Sequence, residues 1–148
     1  GADTIGIGDA AASQVSRGAY EELIRPREQR LVRGLKEMGA KVRLQISGNI
    51  THLLPGIATL GINVIDVDHM VDLSAVRRAL APKTVIGGNI APFAGVLRSN
   101  PDAIRSAVLD CYARDGNPFM VNAGCEIPSG TPAANLMALC EPVAYRAN

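Results

Sequence analysis

A chain of 148 residues with 15 basic and 14 acidic side chains has a formal charge of +1, too weak a field to hold nucleic acid or an anionic membrane. With no Trp, two Phe and three Tyr, its core must be built from aliphatic side chains and alanine, a composition suited to helices packed on buried strands. No apolar stretch approaches the roughly 20 residues that span a bilayer, and the three cysteines lack metal-type spacing, so the expectation is one soluble domain over residues 1–148 in a reducing cytoplasm, with no signal-like start.

Five times a short apolar run is followed by a helical pattern. The first strand is "DTIGIGD" (3–9), and its helix runs from a cap at Ser16 to a stop at Gly39, with Pro26 predicting a kink. "KVRLQIS" (41–47) is the second strand, followed by a short helix in "ITHLLPGIATLG". "NVIDVDH" (63–69) is the third, followed by a helix capped by Asp72. After "KTVIGGN" (83–89) and a longer loop, Asn100 caps a helix with Pro101 in its first turn and Gly116 as terminator. "PFMVNAG" (118–124) is the fifth strand, and "TPAANLMALCEPVAYR" closes the chain as a helix.

Alternating strands and helices with short connections predict an α/β fold with a parallel sheet and right-handed crossovers. Two architectures fit five βα units: an open doubly wound sheet, or part of a (β/α)8 TIM barrel, which takes about 250 residues when complete. In both, function sits at the carboxyl ends of the strands. Those ends carry Asp9, then Gln45, Ser47 and Asn49, then Asp66, Asp68 and His69, then Asn89, and finally Asn122, Cys125 and Glu126. Their convergence predicts a shared pocket.

"GIGDAA" (6–11) matches a dinucleotide fingerprint but lacks its context, because a long helix intervenes and the second strand ends in Gln45 and Ser47 where an acid is needed. Tight backbone packing is the expected role of Gly6 and Gly8. Asp66 and Asp68 stand two apart, roughly 6.6 Å along a strand. Either a cation sits between them, or one aims inward while the other caps the following turn. Cys125 follows a strand end, where turn amides favour a thiolate, whereas Cys111 and Cys140 fall in helical patterns and are expected in the core.

"VRLQISGNITHLLP", "INVIDVDHMVDL", "GGNIAPFAGVL" and "NAGCEIPSGTPAANLMAL" follow one another as in the carboxyl-terminal half of the uroporphyrinogen decarboxylase superfamily, which the chain resembles over nearly its whole length. The resemblance implies the second half of a (β/α)8 barrel. It also implies either tetrapyrrole decarboxylation or cobalamin-dependent methyl transfer. "GCEIP" (124–128) is similar to the methyltransferase branch, where decarboxylases carry a His in place of Cys125. The implied reaction is methyl transfer involving a corrinoid (methylcobalamin), supplied free or on a corrinoid protein, to a thiol acceptor.

On that resemblance Asp66, Cys125 and Glu126 are the catalytic candidates, and Asp9, Gln45, Ser47, Asn49, Asp68, Asn89 and Asn122 the substrate-binding ones. Zinc-dependent members hold their metal with a His-x-Cys pair plus the cysteine matching Cys125. Gln45 and Ser47 occupy the pair's positions, so Cys125 alone remains of the three ligands, and "GGNIAP" has Ala91 where relatives often carry an acid. Retained zinc is therefore not expected. A superfamily member without catalysis, keeping only the tetrapyrrole-type pocket, is the alternative. Open sheet edges in a five-unit segment predict a homodimer.

Overall fold

The computed structural model describes residues 1–115 and 118–141. Five parallel strands pair in chain order: β1 (Thr4–Gly8), β2 (Lys41–Ile46), β3 (Val64–Val67), β4 (Val85–Ile90) and β5 (Phe119–Ala123). No strand is inserted out of order, so the sheet lacks the reversal of a doubly wound fold and has the order of consecutive barrel units.

Strand β2 shows how the layers arise. Val42, Leu44 and Ile46 are fully buried while Lys41, Arg43 and Gln45 alternate with them on the other face, the period of two that places successive side chains on opposite sides. The apolar face, with Ile65, Val67 and Ile86 from β3 and β4, packs on Tyr20, Val32, Ile57, Val76, Ile104 and Val108 from the helical connections. The opposite face carries polar side chains and glycines, with Met120 exposed on β5. Among the described residues the helices thus cover one face, as they would around a barrel.

The first connection begins with α1 (Arg17–Ala19), where Ser16 Oγ accepts from Ala19 N. The kink expected at Pro26 takes the form of a π-helical turn, Tyr20–Ile24, leading into α2 (Arg25–Glu37). Proline lacks an N–H, and its ring crowds the carbonyl four residues back, so widening the preceding turn relieves the clash; Arg25 N then donates to Tyr20 O.

The remaining helices are α3 (Leu54–Ile57), α4 (Leu73–Ala79), α5 (Pro101–Asp115) and α6 (Ala133–Leu139). Asp72 caps α4 through Ser74 N and Ala75 N, and Asn100 Oδ1 accepts from Ala103 N at the start of α5. The loop after β4 contains a second π-helical turn, Pro92–Leu97, which the amide of buried Asn135 holds through Val96 O and Ser99 O.

Cys111 is buried, as its helical pattern predicts, but Cys140 is exposed: it follows the last turn of α6 on the solvent side. Gly6 and Gly8 also depart from expectation. A Cβ on either would meet nothing within 4 Å, so they leave open space above β1 and make no tight backbone contact. The helix expected over 131–146 is observed as α6 ending at Leu139; its expected part beyond Glu141, like the Gly116 stop, lies outside the described residues.

Candidate functional site

At the carboxyl ends of the strands lies a cleft of about 550 Å³, lined by Gly8, Ala10, Arg43, Gln45, Ser47, Asn122, Ala123, Cys125 and Glu126. Arg43, Gln45 and Ser47 enter it because they share one face of β2 and its continuation. Asn122 comes from β5 and Cys125 from the turn that follows it. That turn is fixed by a close approach: a Cβ on Gly124 would stand 2.6 Å from His69 N, so only glycine lets it pass under the loop after β3. Gly124 N donates to Ile90 O, and the next residue is thereby aimed into the cleft. Cys125 Sγ lies 3.2 Å from Ser47 Oγ, a hydrogen-bonded pair joining the ends of β2 and β5.

Beneath this pair lies a charged one. Arg43 donates through Nε to Asp66 Oδ2 at 2.5 Å and through Nη2 to Oδ1 at 2.8 Å, and Asn122 Nδ2 adds a 3.3 Å bond to Oδ1. The Asp66 side chain is only 5% exposed, whereas that of Arg43 is 40% exposed in the cleft. The hydrogen bond to Asp66, more than burial, governs Arg43 and raises its pKa, so it stays a cation. A Cβ on Gly87, beside Asp66 in the sheet, would collide with Oδ1, so this glycine makes room for the carboxylate.

Of the residues expected at the site, Gln45, Ser47, Asn122, Cys125 and Glu126 line the cleft, and Asp66 stands behind Arg43. The other four lie elsewhere. Asp9 extends the β1 ladder through its N–H to Gln45 O and is not a lining residue. Asn49 Oδ1 accepts from Thr51 N and Oγ1, capping a turn. Asp68 Oδ2 accepts from Gly48 N, and Oδ1 lies 2.5 Å from His69 Nδ1, close enough for an ion pair but not aligned as a hydrogen bond. Asp66 and Asp68 thus have separate partners, one inward and one in the loop after β2 rather than in the turn that follows β3.

Asn89 is turned toward the helix layer. Its Nδ2 donates to Val71 O at 2.8 Å, and its Oδ1 accepts from Cys111 on α5. Gly88, at φ +135°, permits this departure from strict alternation. Arg43 is the cleft residue that inspection of strand ends misses, because it lies inside β2. The alternation with Val42, Leu44 and Ile46 could have revealed it.

The zinc implied by some relatives does not fit these donors. The cleft offers one thiol, one hydroxyl and one amide at Cys125, Ser47 and Gln45, and among the described residues no three His, Cys, Asp or Glu side chains converge. No helix among the described residues is long and apolar enough to cross a membrane.

Residues 1–145 match the Uroporphyrinogen decarboxylase (URO-D) family. The chain is 33% identical over 143 residues to the methylcobamide:CoM methyltransferase MtbA of Methanosarcina mazei, covering 95% of this chain and 41% of that protein. It is 31% identical over 144 residues to a uroporphyrinogen decarboxylase of Prochlorococcus marinus, covering 95% of this chain and 40% of that one. The chain therefore spans about two fifths of the length of these relatives. In structure it is similar to a methyltransferase from Methanosarcina mazei, with a TM-score of 0.82 at 23% identity over 94% of this chain and 41% of the other. That likeness gives the strand order and one-sided helix layer their context as part of a barrel, and the family match is independent of it: the chain belongs to the uroporphyrinogen decarboxylase family.

Proposed function

We propose that the chain takes part in methyl transfer from a methylcobamide, free or carried by a corrinoid protein, to a thiol acceptor held in the strand-end cleft. The observation that carries this reading is Cys125 in its "GCEIP" setting, its Sγ 3.2 Å from Ser47 Oγ at the cleft wall. The MtbA relatives, named as methylcobamide:CoM methyltransferases, support it.

In such a transfer the acceptor sulfur attacks the methyl carbon, an S–C bond forms, the Co–C bond breaks with its electron pair passing to cobalt, and the thiol proton must leave. Glu126 is the exposed carboxylate of the cleft and is assigned to take that proton, since Asp66 is engaged by Arg43 and Asn122. Ser47 and Gln45 offer hydrogen bonds to the acceptor. The three free cysteines suit a reducing cytoplasm.

Tetrapyrrole decarboxylation is the second reading. The Arg43 cation in the cleft favours it, because it could meet a substrate carboxylate. Parallel assays separate the two: methylcobalamin with coenzyme M, followed by the change in corrin absorbance, and uroporphyrinogen, followed by carboxylate loss. Chain-dependent demethylation supports the first reading; decarboxylation without demethylation replaces it with the second.

A further inference from the structure

Arg43 presents more than its bond to Asp66 uses. A guanidinium carries five N–H groups in a rigid fork, and Asp66 takes the Nε hydrogen and one on Nη2. Nη1 and the second Nη2 hydrogen have no hydrogen-bond partner among the described residues. The Arg43 side chain is 40% exposed, and what it faces is the cleft.

The surroundings keep that edge accessible. Across β1 the register partners of Arg43 and Gln45 are Gly6 and Gly8, which place no side chain over them. On the far side Gly87 gives the Asp66 carboxylate its space, so the ion pair lies in a bed of glycines. The Gln45 amide lines the same cleft with no hydrogen-bond partner among the described residues. A charged fork, already oriented by a buried carboxylate, beside a free amide and open space, is a preorganised oxyanion receptor.

We propose that the free edge of Arg43, assisted by Gln45, binds a carboxylate on the small acceptor substrate, making Arg43 a specificity-determining residue of this cleft. The substrate class is then a short thiol bearing a carboxylate. Asp66 acts as a positioning residue that fixes the guanidinium plane. The identification of the carboxylate's owner as the acceptor rests on the methyl-transfer reading; the anion site itself does not.

The test uses binding without methylcobalamin, so that it stands apart from the reaction. The chain is titrated calorimetrically with 3-mercaptopropionate and with its neutral isostere 3-mercaptopropionamide. The carboxylate is expected to bind about tenfold tighter, as a charge-assisted pair allows. Arg43→Lys keeps a cation beside Asp66 but loses the fork, and is expected to reduce the preference to about twofold or less. The double variant Arg43→Gln, Asp66→Asn replaces the ion pair by a neutral pair of similar shape, and should reduce it equally while thermal melting confirms folding.

Equal affinity for both compounds in the unaltered chain, or a preference undiminished in either folded variant, overturns the proposal. A carboxylate preference lost in these variants, in a chain that does not demethylate methylcobalamin, supports the anion site and rejects only the methyl-transfer reading.

Discussion

Glu28 lies buried on α2, where the Tyr20 hydroxyl donates to Oε2 at 2.5 Å and Oε1 has no hydrogen-bond partner. Burial raises its pKa above the ordinary 4.5, the Tyr20 bond opposes this, and the charge of Asp9 adds to it. The folded chain therefore holds this proton more tightly than the unfolded chain. Stability falls as pH rises from about 4.5 through the raised folded value, and the penalty persists above it. Glu28→Gln keeps an acceptor for Tyr20 and removes the charge. We expect it to raise the melting temperature at pH 7 and flatten the acid-side pH dependence; an unchanged melting temperature at pH 7 would count against this account.

Metal chemistry can be tested on the other side of the sheet. The unaltered chain is expected to lose zinc on dialysis. Gln45→His with Ser47→Cys places an imidazole and a second thiolate on the face of β2 and its continuation where Ser47 now meets Cys125, and should retain about one zinc per chain. Metal analysis of the dialysed double variant checks this; no zinc above background would mean that the three positions do not converge closely enough.

The cleft was legible in the sequence where polar residues end a strand, as at Gln45, Ser47, Asn122 and Cys125. Asn49 and Asn89 look the same in the sequence, but their amides are taken up by backbone, Thr51 N for Asn49 and the more distant Val71 O for Asn89. Polarity marks a strand end without saying whether its side chain serves a ligand or a turn. Arg43 was hidden because attention to termini overlooks the interior of β2.

At the scale of elements, local rules that need only a few neighbouring residues held well. Asp72 caps α4 with both carboxylate oxygens, and Asp72→Ala is expected to cost about 1 kcal/mol, measured by urea unfolding. A loss below a few tenths of that would show that α4 is held by its packed face alone. The strand sequence and the helical stretches could be read from hydrophobic period, because one face of each is buried. The turns at Tyr20–Ile24 and Pro92–Leu97 could not, since a π-helical turn carries no distinct period. Pro26 signalled a disturbance, but its form depends on packing: a Cβ on Gly56 would stand 2.8 Å from Tyr20 Cε1, so α3 presses directly on that turn.

At the scale of the whole molecule, the sheet has β1 and β5 as its edges, each paired on one side among the described residues. Neither "TIGIG" nor "FMVNA" carries a charge or proline to guard that edge. Leu23, Leu31 and Met38 are also exposed along the first connection. We expect this chain to form a two-fold dimer, seen by sedimentation equilibrium as twice the chain mass. A monomer persisting at high micromolar concentration would contradict that.

If the strand-end cleft receives the corrinoid-linked reaction, occluding it at Gly8 must weaken corrinoid binding. Gly8 lines the cleft, its backbone has no positive φ, and a Cβ there meets nothing within 4 Å, so Gly8→Leu fills the cleft without strain at the backbone. The measurement is equilibrium dialysis of methylcobalamin against the unaltered chain and Gly8→Leu, with melting curves for both. Saturable binding to the unaltered chain is expected, weakened about tenfold or more in a folded Gly8→Leu variant. No saturable binding, or equal binding by both, would contradict it.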